Sequence, residues 1–269
     1  MIGAAQARVI EAIEARAWRD LFAAAPAATA ETLQLAGREF AGAYALSAPV
    51  LETFMFNRVV GLGMAEAATD AQLDAIVAHY GERQSPFEVN LCPLAEPGDL
   101  SSRLAARGLG TPFHHVKWLR GIQAAPTQAW TLRLERVKPR EALAFATIAA
   151  AGYADGDEPT RDWLAASVGR PQWTHYVAWE GDEPVGCGAM YVEGDGAWLA
   201  FDSTRPGHRG KGAQSLIIAA RIRDAAAAGC RWLSADTGPN LPDIDTTAWR
   251  NLSRTGFVAA YERACWIKA

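Results

Sequence analysis

The stretch Arg205-Pro206-Gly207-His208-Arg209-Gly210-Lys211-Gly212-Ala213-Gln214-Ser215 has the residue types and spacing for anion chemistry. An apolar, aromatic segment precedes it, and a stripe of Ile218, Ile222, Ala225 and Gly229 follows at helical spacing. Strand, glycine turn and helix in that order present unpaired backbone N–H groups and the positive end of a helix dipole. Gly210 and Gly212 let the backbone close on a phosphate, and Arg209 and Lys211 add charge. A pyrophosphate is the expected guest. A Walker A loop would need Lys then Ser or Thr after the last glycine, but Gly212 is followed by Ala213 and Gln214. A dinucleotide fingerprint would need a glycine at Ser215. Neither pattern fits.

The turn resembles the acyl-CoA loop of the GNAT superfamily of N-acetyltransferases, Gln/Arg-x-x-Gly-x-Gly/Ala. Arg209 and Gly212 fall on that pattern, Pro206 stands three residues before the arginine, and Gln214 departs from it. The resemblance implies acetyl-CoA as cosubstrate, held by Arg209, Gly210, Lys211, Gly212, Ala213 and Gln214. Ser203 and Thr204 would lie beside the pantetheine arm through their main chain, with Asn251 able to bond its amides. The implied reaction is acetyl transfer to a primary amine. That chemistry needs a base for the acceptor ammonium, an oxyanion donor and an acid for the thiolate. Asp202 is the candidate base, expected on the strand face shared with Trp198 and Ala200 unless a bulge reverses it; turn capping would equally explain it. Many relatives carry an acidic tyrosine four residues before the Gly-Phe that ends the last helix. Here Gly256-Phe257 puts Leu252 there, and Tyr261 is the nearest substitute, or else a packed strand aromatic. The absent tyrosine keeps a second function open, a non-catalytic acyl-CoA-binding sensor or regulatory module.

Periodicity predicts helices near 4–24, 70–80 and 100–107 and extended segments at 32–35, 42–45, 50–60, 86–91 and 113–119. A linker is expected over 121–130. The order β-α-α-β-β-β-α-β-α-β follows to the end and resembles the GNAT fold. The expected class is α/β, a mixed sheet in two tandem GNAT-like domains, residues 1–125 and 130–269. Leu104 to Arg120 can also be laid without a gap on Leu252 to Lys268, so that Gly108 meets Gly256 and Trp118 meets Trp266. In place of the basic turn the first half has Gly61 to Asp70, with Glu66 and no Arg or Lys. Acids at a helix start repel a pyrophosphate, so the first half is expected to be a degenerate copy without a cofactor site.

The 269 residues suit one large domain or two small ones. A net charge of −4 without a basic block argues against nucleic acid as partner. No apolar run is long enough for a membrane span, no signal-peptide pattern opens the chain, and the four cysteines form no CxxC pair. Those features favour a cytoplasmic protein with free, buried thiols. His114 and His115 are adjacent in a strand and point to opposite faces, so no metal is expected. The acceptor is a small-molecule or peptide amine, which the acidic run Asp155-Gly156-Asp157-Glu158 would steer. The first domain is expected to shape the cleft or a homodimer.

Overall fold

The computed structural model describes residues 2–125, 128–239 and 247–268, apart from the side chains of residues 111 and 112; residues 126 and 127 of the expected linker lie outside them. The first half runs α1 (Ala4–Ala23), α2 (Ala27–Thr32), β1 (Ala36–Phe40), β2 (Ala43–Ser47), β3 (Arg58–Val60), α3 (Asp70–Glu82), β4 (Phe87–Leu91), α4 (Leu100–Ala105) and β5 (Gly110–Arg120). The second runs β6 (Arg133–Arg136), α5 (Ala142–Tyr153), α6 (Glu158–Ala166), β7 (Trp173–Glu180), β8 (Glu183–Glu193), β9 (Gly196–Thr204), α7 (Ala213–Ala227), β10 (Trp232–Thr237), α8 (Thr247–Arg254) and β11 (Val258–Lys268). The fold is mixed α/β. The predicted extended segment at 32–35 is instead the end of α2 and a turn. Pro26 starts that short helix, and the strand begins at Ala36.

All the strands join one sheet in the order β1-β2-β3-β4-β11-β5-β10-β9-β8-β7-β6. The two halves have therefore exchanged their last strands. β11 pairs antiparallel with β4 of the first half, and β5 pairs antiparallel with β10 of the second. β5 and β11 also pair with each other along most of their length. The repeat read in the sequence spans these two strands and the short helices before them. Its glycines, Gly108 and Gly256, have φ of 80° and 85°, and Leu104 and Leu252 are both buried. The sheet is thus continuous across the two expected domains, residues 1–125 and 130–269.

Helix α1 packs across this seam and carries two fully buried acids, Glu11 and Glu14. Two buried cations answer them. Arg263 of β11 donates to Glu11, Glu14 and Asp236, while Lys117 of β5 donates to Glu14 and Asp236. A buried carboxylate without such partners would cost several kcal/mol, roughly, so these charges fix how the helix sits on the sheet. The four cysteines are free and buried, as the sequence suggests. No helix among the described residues is long and apolar enough to cross a membrane.

Candidate acyl-transfer site

The site begins with one residue too many in β9. Ala200 pairs with Ala189 and Ser203 with Cys187, so Phe201 and Asp202 together oppose Gly188. Such a bulge turns the strand, and Phe201 takes the left-handed φ of 56°. Its ring then joins Trp198 and Ala200 in the core beneath α1 and α5. The expectation that Asp202 shares that face is corrected. The bulge swings it to the α7 side, where its carboxylate accepts from the guanidinium of Arg221.

A second departure opens the sheet. β9 and β10 are parallel partners only from Gly196/Trp232 to Trp198/Ser234, after which they part. Residues 199–204 lose their neighbour on that side, and the backbone edge left bare can pair with an extended guest. A cavity of about 350 Å³ lies in the wedge, with Leu199, Ala200 and Asp202 on one lip and Ala235, Asp236 and Thr237 on the other. A second cavity of about 760 Å³ continues it along Ser203, Thr204 and the start of α7. Four residues, Tyr153, Asp202, Gln214 and Ala248, line both cavities, so a group crossing from one to the other passes them.

The larger cavity carries the anion features. Gly212 caps α7 with φ of 87° and Gly210 has φ of 79°, conformations that favour glycine. Space is open beyond Gly210, whereas a Cβ on Gly212 would come 3.3 Å from the Trp130 ring. Arg209 lines the cavity and has no ion-pair partner among the described residues. Asn251 lines it too and donates 2.8 Å to Gln214, which holds that side chain at the junction. Ser203, Thr204, Gly210 and Ala213 complete the residues that the turn motif brings together here. Lys211 is a correction. Its Nζ lies 2.7 and 2.6 Å from the two oxygens of Glu180, which His208 also contacts, and it does not line the cavity. Arg250 and Arg254 take its place. They stand one turn apart on α8 beside Asn251, an i, i+4 spacing that could have drawn notice in the sequence.

The smaller cavity mixes the halves. Glu14, Trp18, Met55, Arg58 and His115 reach it from the first half, facing Trp198, Trp249 and Leu252 of the second. Five aromatic rings, Trp18, Tyr153, Trp198, Phe201 and Trp249, share its wall with the charged side chains of Glu14, Arg58, Asp202 and Asp236. Trp198 Nε1 donates 2.9 Å to Asp236, and Trp18 packs on both Trp198 and Phe201. Burial pushes the His115 imidazole down to about 4, helped by the nearby Arg58 and Arg263 cations, so the ring is neutral. Burial also raises Asp202 above the usual aspartate range, although Arg221 pulls the other way. The carboxylate is therefore a stronger base than an exposed aspartate, and its side chain is one-fifth exposed.

Tyr261 is not at this site. The strand exchange carries β11 to the first half, where the Tyr261 hydroxyl donates 2.6 Å to Glu11. The tyrosine that lines the cavities is Tyr153, at the end of α5, whose hydroxyl donates 2.9 Å to the main-chain oxygen of Asp202. Burial, with the Asp202 charge, holds that phenol far above its ordinary value, hence protonated. The acidic run lies on neither cavity: Asp157 caps α6 through the Thr160 N–H, and Glu158 pairs with Arg161. In the first half the loop matching the glycine turn is closed by main chain. Glu96 N–H donates to Gly63, Ala68 N–H donates to Glu96, and a Cβ on Gly63 would meet Glu96 O at 2.5 Å.

Residues 140–246 match the model of the Acetyltransferase (GNAT) family. Among solved structures, a GCN5-related N-acetyltransferase from Kribbella flavida is similar over 96% of this chain and 95% of its own, with a TM-score of 0.65 and 16% identity. A functionally unknown conserved protein from Staphylococcus epidermidis matches 88% and 94% of the two chains at 0.59 and 12%. A tandem GNAT protein from the clavulanic acid biosynthesis pathway matches 78% and 74% at 0.57 and 14%. At such identities the likeness is one of fold. No curated protein sequence matches the chain.

Proposed function

We propose that the protein, whose residues 140–246 match the GNAT family model, is an acetyl-CoA-dependent N-acetyltransferase acting on a primary amine. The observation that carries this reading is the meeting of the two cavities. One is edged by a left-handed glycine turn and three arginines, the other is lined in part by five aromatic rings, and the junction holds a half-buried carboxylate and a half-buried phenol. Acetyl-CoA supplies an acyl group already activated as a thioester. Its phosphates suit Arg209, Arg250, Arg254 and the N–H groups that open α7. The free backbone edge after Trp198 and the paired Gln214 and Asn251 amides suit the pantetheine arm.

The acceptor amine enters the smaller cavity, where Asp202 takes its proton directly or through water. Tyr153 keeps its own proton and turns its hydroxyl from the Asp202 main-chain oxygen to donate where negative charge develops on the acyl oxygen. The first half supplies cavity wall and no second cofactor site. A small-molecule or peptide amine, and the cytoplasm as its setting, complete the reading. The assay is thiol release from acetyl-CoA over a panel of amines, run beside calorimetry. Turnover on at least one amine supports the enzyme; binding without turnover on any would favour an acyl-CoA sensor, the reading that Leu252 at the usual tyrosine position suggests.

Asp202→Asn is expected to lower kcat at least roughly tenfold, since a positioned base typically contributes about 10² to 10⁴. An amine with a pKa of about 10.4 is mostly protonated at neutral pH. The deficit should therefore shrink as pH rises, with acetyl-CoA affinity nearly unchanged. Wild-type kcat across the pH range would move the base elsewhere. Tyr153→Phe should lower kcat by about tenfold or more without that recovery at high pH, because its role is donation. A pH-dependent deficit matching that of Asp202→Asn would count against the assignment.

A further inference from the structure

Three neighbouring strands of the exchange seam place Glu88 of β4, Cys265 of β11 and His115 of β5 together. One ligand atom from each lies within 4.8 Å of the others. Two of the three residues carry an atom with no bond. Glu88 Oε2 and His115 Nδ1 are buried and have no hydrogen-bond partner, and Glu88 is only 1% exposed. Buried polar atoms are rarely left so, and two of them beside a thiol need an occupant. We propose that Glu88, His115 and Cys265 bind one divalent metal ion of zinc-like chemistry.

The donor set is a carboxylate, an imidazole and a thiol, each a ligand found in zinc sites. Ligand atoms of a tetrahedral zinc, bonded at about 2.0–2.3 Å, lie roughly 3.4–3.7 Å apart. The three groups need to draw in by about 1 Å, within reach of side-chain rotation. His115 is already neutral, the form that ligates. Cys265 is protonated when free, because burial pushes its thiol up to about 12, with Glu88 adding to the effect. Binding therefore forms a metal–sulfur bond and releases one proton to solvent. Asn90 supports the pocket from beside it, donating 2.9 Å to Glu88 Oε1 and 3.7 Å to Cys265 Sγ. Such outer bonds orient ligands and favour a thiolate. The opposing charge is Arg58, 3.7 Å from Glu88. Ionised carboxylate and thiolate offset a dication, so the sum at the site is that of the arginine alone.

Three protein ligands leave a tetrahedral ion a fourth position that water would fill. Thiols and imidazole select zinc, cobalt or similar ions over magnesium or calcium. The ion clips β4, β11 and β5, the strands on which the exchange depends. His114, the adjacent histidine, is exposed and plays no part.

The test is cobalt titration of the full chain, freed of metal with a chelator, followed by zinc competition and thermal melting. The expected result is one cobalt per chain with the near-ultraviolet charge-transfer band of a cobalt–thiolate bond, displaced by zinc, and a higher Tm. Cys265→Ser should remove the band and weaken binding by at least about tenfold, because even outer-shell losses cost that much. Glu88→Gln, which keeps the side-chain shape, should melt cooperatively but lose the metal-induced rise in Tm. His114→Ala should leave every readout unchanged. No cobalt band at about a hundredfold excess over protein would overturn the site. So would a band that survives Cys265→Ser, or an equal metal-induced rise in Glu88→Gln.

Discussion

Arg263→Met is expected to cost about 3–5 kcal/mol of folding stability, the usual penalty for removing one partner of a buried ion network. For a chain of this size that is a Tm lower by roughly 6–20 °C. Methionine fills the space, but Glu14 and Asp236 would share Lys117 as their cation and Glu11 would keep only the Tyr261 hydroxyl. The acid limb of the stability curve should change as well. Burial raises the Glu14 carboxyl, but Arg263 and Lys117 outweigh it and hold the group well below its ordinary 4.5. A group depressed in the folded state contributes stability that is complete above its unfolded pKa and declines as pH falls towards the folded one. Wild type should therefore lose stability steadily below about pH 4.5. The variant, having lost much of that contribution already, should show a shallower acid limb. Denaturant unfolding across pH 2–7, roughly, measures both, and a variant as stable as wild type with the same slope would show that the network contributes nothing net.

The second large effect concerns the glycine turn. Gly212→Glu should reduce acetyl-CoA affinity at least about a hundredfold, or about 2.7 kcal/mol. One unit charge about 4 Å from a phosphate costs about 4 kcal/mol at a protein surface. The new side chain must also accept a φ of 87° and press on Trp130. Calorimetry supplies the affinity, and Gly212→Ala separates the terms. Alanine keeps the backbone strain and the Trp130 contact but adds no charge, so it should bind more tightly than the glutamate variant. Undiminished binding in Gly212→Glu would remove the anion site from this turn.

The glycine turn was legible in the sequence because its information is local: two glycines, an arginine and a helical stripe within some 20 positions. Asp202 was legible as a residue of interest but not as to its direction. Its facing depends on a single backbone angle at Phe201, and no residue type announces that a phenylalanine will be left-handed. Lys211 and Arg209 could not be told apart by spacing, because what separates them is Glu180, thirty-one residues upstream. Tyr261 shows the strongest limit. Reading it beside the cofactor assumes that the last strand stays with its own half. The two final strands share a pattern, so either satisfies the sheet edge offered by β4 or by β10. The choice rests on long-range partners, among them Glu11 and Glu14 of α1, which meet β11 across 249 or more positions. The same exchange brings His115 to the second half's cavity and sets it beside Cys265 and Glu88.

The exchanged strands also set a timetable for synthesis. Asn90 lies beside Cys265 in the finished sheet, 175 positions later in the chain. While a ribosome makes the protein, the open edge of β4 must wait for the last of the described strands to emerge. Meanwhile β5, made early, is without β10, the edge it will finally join. At the usual 5–20 residues per second, roughly, that interval lasts about 9 to 35 seconds. Throughout it β4 and β5 lie close in sequence and are free to pair with each other. The nascent chain can thus form a compact first half that must come apart at its last strand before the second half can be completed. The cavity that mixes residues of both halves cannot exist until that rearrangement is over, so it forms only after β11 has been made.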